Sequence, residues 1–506
     1  MLLTLGFGAA TGVALSRVPK VDPLTRQFSG AGGTTTTAPT LGPPALEGAD
    51  PAPAAGHTFD VAITGGRVID PETGYDGIAN VGIDGDRITA ISVEPITGAR
   101  TVDATGRVVA PGFIDLLSYE PNEYGEWYKI ADGVTTNLGM HGLNFDASDF
   151  LGRWTNDGSP VHFGGAYDGG WRRSALLGLG TGEAASSAQL DQFADDARAQ
   201  LAEGWIGINL EPEYTPGAEY EELRRLSEVA AEVGVPVFVH GRYSDNVEPG
   251  TNAETIAEIL QLARDTGASV HVEHIISTGG TFTMAESLAT LDAAVAEGLD
   301  VTACMYPYDF WATYLGSARF NEGWQERFGI TYEDLVVAGT GERLTEATFA
   351  ARQADNLLVA AYGIPAADVV TALQSPLVMI GSDAILEPSH NNHPRATGCF
   401  SRVLGRYVRD EGTLSLVDGL AKMTIMPARR LQGGAPAMAR KGRLQRGADA
   451  DVVVFDPTTV ADRSTVENPA QESVGIDWVL VAGTVVKSPD GIDREQRPGR
   501  AITPAG

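Results

Sequence analysis

The sequence predicts an α/β protein: a (β/α)₈ barrel with a small β-domain assembled from both ends of the chain. Three observations lead there. The middle of the chain alternates short apolar runs with amphipathic helical stretches, the pattern of parallel βαβ units. Both ends share a different texture, of short strands and turns. The length, 506 residues, exceeds what one hydrophobic core of ordinary size organises, which suits a large barrel with an attachment.

The chain opens on an apolar run, residues 2–15 (LLTLGFGAATGVAL), shorter than the roughly 20 residues of a transmembrane helix, so no stable membrane insertion is expected. It suits the core of a signal peptide, although no Lys or Arg precedes it; a disordered tail is the other reading. Residues 29–56 are dense in Gly, Thr, Pro and Ala and read as a tether. Residues 1–56 are therefore set outside the fold, and a tether after an apolar start favours export over a cytoplasmic location. The first β-segment is set at residues 57–110. There Asp60-Val-Ala-Ile-Thr and Arg67-Val-Ile-Asp read as two short strands around Gly65-Gly66, and Ile83-Asp-Gly-Asp-Arg-Ile as a hairpin.

The barrel is set at residues 111–430. Apolar runs fall at 107–114, 133–138, 205–210, 235–239, 269–272, 301–306 and 377–380, and a strand near Val161 brings the set to about the eight that a barrel needs. In 252–266, Ile256, Ile259, Leu260 and Ala263 share one helical face, with Gly267 as a stop. A doubly wound open sheet is the alternative, but no Gly-x-Gly-x-x-Gly turn follows the early strands. Residues 431–506 return to the β-texture, with Ala450-Asp-Val-Val-Val-Phe-Asp and Trp478-Val-Leu-Val-Ala-Gly-Thr-Val-Val.

Composition narrows the function. Thirty-six basic against sixty-six acidic side chains give a formal charge of -30, which a nucleic-acid backbone would repel. Two cysteines, Cys304 and Cys399, make neither a disulfide framework nor a C-x-x-C zinc site. A small-molecule ligand is expected; the oligomeric state is not legible.

Barrel chemistry sits where strands end. His141, Glu211, His240, His274 and Asp383 each close an apolar run, and three of the chain's eight histidines are among them. Imidazoles suit a borderline metal such as zinc, and a nearby carboxylate can take a proton from water. Taken singly, each has a plainer reading as a hydrogen-bonded buried side chain or, for Asp383, a cap. Strand alternation puts His274 with Val270 and Val272 and sends His271 and Glu273 to the opposite face, so His271 is read as structural.

These residues lie in an ordered set of motifs. Val108-Val-Ala-Pro-Gly-Phe-Ile-Asp115 and Gly133-Val-Thr-Thr136 come first, then Gly207-Ile-Asn-Leu-Glu-Pro-Glu-Tyr-Thr-Pro-Gly217, Val239-His-Gly-Arg242 and Val272-Glu-His274. Tyr306-Pro-Tyr308, Gly381-Ser-Asp383, His393-Pro-Arg395, Met423-Thr-Ile-Met-Pro-Ala-Arg429 and Gly442 to Asp451 follow. From Phe59 onward the chain resembles the amidohydrolase superfamily, and within it the D-aminoacylase (N-acyl-D-amino-acid deacylase) branch. The resemblance implies a (β/α)₈ TIM barrel with a β-sandwich built from both termini.

The chain also departs from the family pattern. The superfamily's first-strand Asp is usually followed by His-x-His, two ligands of the more buried metal; here Leu117 and Tyr119 stand at those places. The branch's Cys ligand after the second strand is matched, one residue displaced, by His141. The lysine that often follows the later His motif is replaced by Ile275-Ile276-Ser277, and Cys304 stands where the branch commonly has Asp. Even so, the resemblance implies hydrolysis of a non-peptide linear amide, the deacylation of an N-acyl-(D-)amino acid. One zinc, or two, would be held through His141, His240 and His274. Asp383 would be the general base toward a zinc-activated water, and Glu211 or Glu213 an additional ligand or outer partner. An N-acyl amino acid carries a carboxylate, so Arg395 and Arg242 are expected to bind it and Tyr308 to orient the carbonyl; a surface ion pair is the plainer reading of either arginine. Two other readings stay open: a cyclic-amide or isoaspartyl-dipeptide hydrolase of the same superfamily, and an inactive binding protein on its scaffold.

Overall fold

The computed structural model describes residues 42–248 and 250–505. The apolar run 2–15, with its signal-peptide expectation, lies outside the described residues, as does the tether up to residue 41. The end of the expected tether is not free chain. Pro44 is buried, the Leu46 N–H donates to the Arg446 carbonyl at 2.9 Å, and the Arg446 N–H donates to the Pro44 carbonyl at 3.0 Å. One apolar side chain, Leu46, finds a seat on the β-domain core that composition alone does not reveal.

The N-terminal β-segment comprises β1 (Thr58–Asp70), β2 (Tyr75–Asp84), β3 (Arg87–Ser92), β4 (Thr97–Asp103) and β5 (Val108–Pro111). β2 and β3 form the expected hairpin. Gly65-Gly66 does not separate two strands: β1 runs through it with a bulge between Ile63 and Gly66. Glycine is needed there because Gly65 has φ 71° and a Cβ on Gly66 would lie 2.4 Å from Val109 Cγ2. The bulge lets β1 pair in parallel with β4 through its first half and with β5 through its second.

Short buried strands then alternate with helices: β6 (Phe113–Asp115), β7 (Val134–Gly139), β8 (His162–Gly165), β9 (Tyr167–Asp168), β10 (Ile208–Leu210), β11 (Val237–Val239), β12 (Val270–Val272) and β13 (Val301–Met305). The helix Asn252–Thr266 begins on a Thr251/Glu254 capping box and stops at Gly267, φ 72°. After β13 comes an element absent from the sequence expectation, an antiparallel sheet of β14 (Trp311–Tyr314), β15 (Leu335–Val337) and β16 (Leu358–Ala361) in the order β14-β16-β15. β17 (Val378–Ile380) returns to the barrel. β6-β7-β8 and β9-β10-β11-β12-β13-β17 pair in parallel. β8 and β9 are one stave interrupted at Ala166, so the barrel has eight. Its two ends meet where the Asp383 N–H donates to the Leu117 carbonyl at 2.7 Å.

The C-terminal strands β18 (Val452–Phe455), β19 (Ile476–Val481), β20 (Thr484–Ser488) and β21 (Gly491–Ile492) join the N-terminal ones through antiparallel pairing of β18 with β5. The resulting β-sandwich encloses Val61, Val68, Val81, Val109, Val452 and Val454, a core separate from the barrel interior of Ile114, Leu138, Phe238 and Met379. Among the described residues, no helix is long and apolar enough to cross a membrane.

One ion pair locks the barrel closure. Lys129, buried on the helix Gly125–Ala131, donates from Nζ to Asp115 Oδ2 at 2.6 Å, Ser382 Oγ at 2.8 Å and the Ala384 carbonyl at 2.7 Å, tying the first stave to the chain leaving the last. Removing one partner of a buried pair strands the other charge. Lys129→Met is therefore expected to cost about 3–5 kcal/mol, measured by denaturant unfolding; a loss below about 1 kcal/mol would contradict it.

Candidate active site

The strand-end residues converge at the C-terminal mouth of the barrel. His141 follows β7, Glu211 and Glu213 follow β10, His240 follows β11, Glu273 and His274 follow β12, and Asp383 follows β17. His240 Nδ1 and His274 Nε2 lie 3.1 Å apart. One donor atom from each of His141, His240, Glu273 and His274 falls within 4.8 Å of all the others, and all four side chains are buried.

Glu273 corrects the expectation from strand alternation, which sent it away from His274. Alternation holds only while the backbone stays extended, and β12 ends at Val272. His274 then takes φ 24°, which swings its side chain to the same side as its neighbour. His271, one residue inside the strand, stays out of the cluster and meets Thr302 Oγ1 through Nδ1 at 2.8 Å. Asp383 also sits at positive φ, 51°. Strained backbone at two site residues is held by the packed barrel around them.

Each imidazole is fixed by a hydrogen-bonding neighbour. His240 Nε2 meets Glu213 Oε2 at 2.6 Å, His141 Nδ1 meets Glu273 Oε2 at 2.8 Å, and His274 Nδ1 lies 3.3 Å from the hydroxyls of both Ser277 and Thr278. Asp383 stands beside the cluster, accepting from Arg395 Nη2 at 2.7 Å on one oxygen and from the Tyr119 hydroxyl at 3.1 Å on the other. Tyr119, expected at the place of a family histidine, is thus a partner of Asp383.

The surrounding charges favour a cation. Burial raises the Glu273 carboxyl to about 7 despite His141 beside it. Burial also pulls His141 down, but the carboxylates of Glu211 and Glu273 outweigh it and hold the imidazole well above its ordinary value. His240 and His274 are lowered, mainly by burial, which favours the neutral form that can donate a lone pair to a metal. Burial pushes Asp383 up, yet His274 and the Arg395 guanidinium hold it well below the usual carboxylate range. Glu211 Oε1 is buried without a hydrogen bond, 3.5 Å from His141 Nδ1. Three imidazoles ringed by buried carboxylates, one with an unpartnered oxygen, form a donor set that fits zinc.

A cavity of about 320 Å³ opens over the cluster, lined by His141, His240, His274 and Asp383 together with Tyr119, Tyr214, Ser277, Tyr306, Trp311, Ala312, Thr313 and Arg319. The expected substrate contacts are not among them. Arg242 pairs with both oxygens of Glu258 at 2.9–3.1 Å and donates to the Ala218 carbonyl, the ion-pair reading. Arg395 is fully buried behind Asp383, with its guanidinium 3.6 Å from the Tyr306 ring centroid. Tyr308 lies under the Arg402 guanidinium, 4.6 Å away, and its buried hydroxyl has no partner; Tyr306 reaches the cavity instead.

Arg319, which sequence reasoning missed, is the one Lys or Arg lining the cavity among the described residues. It donates from Nε to Glu213 Oε2 at 3.2 Å and from Nη2 to Ser244 Oγ and the Ser277 carbonyl, each at 2.9 Å, with Trp311 4.9 Å from its guanidinium. Nη1 takes part in none of these bonds. No local signal marks Arg319, because it lies in the insertion between β13 and β17, whose fold the periodicity did not disclose.

Comparison with known proteins shows which family the chain is similar to. Residues 171–487 match the amidohydrolase family. The N-acyl-D-glutamate deacylase of Alcaligenes xylosoxydans xylosoxydans is 33% identical over 88% of this chain and 96% of its own length. The D-aminoacylase of the same organism is 31% identical over 85% and 94%. Among solved structures, the N-acyl-D-glutamate deacylase of Bordetella bronchiseptica is 29% identical, with a TM-score of 0.75 over 88% of this chain and 100% of that one. It was solved with zinc and a phosphonate inhibitor that mimics the tetrahedral intermediate of the reaction.

Proposed function

As the chain belongs to the amidohydrolase family, we propose that it is a zinc-dependent hydrolase that deacylates N-acyl-D-amino acids at their linear amide bond. The observation that carries this reading is the convergence of His141, His240 and His274 on one point beside Asp383, at the floor of a cavity with one guanidinium in its wall. His141, His240 and His274 would hold the ion. When bound, zinc supplies Lewis acidity to the acyl carbonyl and makes a water acidic enough to react at neutral pH.

The chain's own groups do the rest. Asp383 accepts the proton of the attacking water and returns it to the nitrogen of the leaving amino acid. Tyr119 and Arg395, one on each oxygen, keep that carboxylate in a single orientation and ionised. Arg319 offers Nη1 to an anionic group of the substrate while Nε and Nη2 stay anchored, and Trp311 and Tyr306 give the cavity an aromatic wall. A buried guanidinium in the wall suits an acidic amino acid such as the glutamate named for two relatives.

The cyclic-amide alternative finds less support. Relatives of that kind often use a carbamylated lysine, and no Lys lies between Lys129 and Lys422. Lys129 is consumed by Asp115, and Lys422 by the carbonyls of Ser375 and Val378.

The test is turnover of a panel of N-acyl-D- and N-acyl-L-amino acids by zinc-loaded protein. Hydrolysis of D-substrates, with acidic side chains preferred, is expected; a zinc-loaded chain that cleaves none of them overturns the reading. Arg319→Lys keeps the charge but loses the fork, and is expected to raise KM for the acidic substrate roughly tenfold at unchanged zinc content. An unaltered KM would remove Arg319 from substrate binding.

A further inference from the structure

The zinc reading leaves open what Glu273 does, since it falls within the same 4.8 Å cluster as the three histidines. Four protein ligands would close a tetrahedral ion, whereas a catalytic zinc keeps one place for water. The hydrogen bonds distinguish the two roles. His240 and His274 each give one nitrogen to an outer group, Glu213 for the first and the Ser277 and Thr278 hydroxyls for the second. The nitrogens left over, His240 Nδ1 and His274 Nε2, are the two that face each other at 3.1 Å. Two nitrogens at about 2.0–2.1 Å from one tetrahedral zinc would stand roughly 3.3 Å apart, so this spacing fits shared ligation.

His141 repeats the pattern. Its Nδ1 meets Glu273 Oε2 at 2.8 Å, which leaves Nε2 for the ion. Glu273 is itself tethered: its other oxygen accepts from Asn209 Nδ2 at 3.0 Å, and Asn209 Oδ1 accepts from the Gly142 N–H at 3.4 Å, next to His141 in the chain. Both oxygens are engaged and the side chain is fully buried, so turning the carboxylate onto the ion would break one of these bonds.

We infer that Glu273 is a positioning residue, which holds His141 in the tautomer with hydrogen on Nδ1 and so makes Nε2 a zinc ligand, and that it is not a fourth ligand. This rests on the zinc reading above and adds a charge argument to it. Three neutral imidazoles bring no negative charge to a dication; Glu273 places one at the far side of a ligand, where it strengthens the imidazole as a donor without occupying the place of water.

The experiment is zinc affinity by chelator competition on the full chain, with cobalt substitution to report coordination number. Wild type should bind one ion tightly at the site. Glu273→Gln should still bind one, with affinity about 10–100-fold weaker and the same visible cobalt spectrum. A second pair removes any doubt from folding effects. In His141→Cys, a thiolate carries its own charge and has no tautomer, so adding Glu273→Gln should then change affinity less than twofold. Unchanged affinity in Glu273→Gln, a cobalt spectrum showing a lost ligand, or the same loss in the His141→Cys background would each overturn the inference. A wild-type chain that takes up no zinc would instead sink the zinc reading itself.

Discussion

Asp383→Asn is expected to lower kcat by about 10²–10⁴ while the protein keeps its zinc and its fold. The amide retains the size of the carboxylate and can still accept from Tyr119, so the barrel mouth should be undisturbed. What is lost is the proton acceptor, and with it the group that returns the proton to the leaving nitrogen. Arg395, which now donates to Asp383 at 2.7 Å, would face an amide in place of an anion; thermal unfolding checks that this costs stability and not folding. Single-turnover assays on zinc-loaded protein measure the effect. Turnover within a few-fold of wild type would show that some other group carries the proton.

His274→Ala should abolish both metal binding and hydrolysis. Nε2 of His274 is one of the two nitrogens facing each other across 3.1 Å, and its loss leaves the cluster with two imidazoles. Losing the ion forfeits several kcal/mol of charge stabilisation in the transition state, so activity should fall at least about 10³-fold. The fold should survive, because the staves on either side are held by parallel pairing of Val270 to Val272 with β11 and β13. Metal analysis after dialysis, together with circular dichroism, separates the two outcomes. Zinc retained at one ion per chain would mean that the metal sits elsewhere.

Several features were legible because they are encoded locally. The eight staves appear in the sequence as short apolar runs, and His240, His274 and Asp383 are recognisable as polar residues closing three of them. The run 107–114 nonetheless belongs to two domains, β5 pairing with β18 of the sandwich and β6 with β7 of the barrel. Gly65-Gly66 likewise reads as a turn in any short window, and only the approach of Val109 shows it to be a bulge.

The site shows the same division. Arg242, soon after His240, and Arg395, in the loop after Asp383, look alike as candidate guanidiniums in the sequence, but Glu258, 16 residues away on a helix, claims the first, and Asp383 claims the second. Tyr306 reaches the cavity while Tyr308 packs against Arg402, a difference that no composition records. Arg319 came to the cavity on an insertion whose three strands pair with one another and not with the barrel.

By itself the sequence determined the barrel and the β-domain shared between the two ends, since hydrophobic period and strand ends follow from backbone geometry within a few residues. Its ordered motifs carried the resemblance to the family, and strand ends singled out His141, His240, His274 and Asp383 as candidates. Only the tertiary structure decided that Glu273 joins His274, that Tyr119 bonds to Asp383 and that Arg319 supplies the guanidinium. Those contacts join segments distant in the chain or depend on one residue at positive φ, and a local pattern of apolar and polar residues holds no information about either.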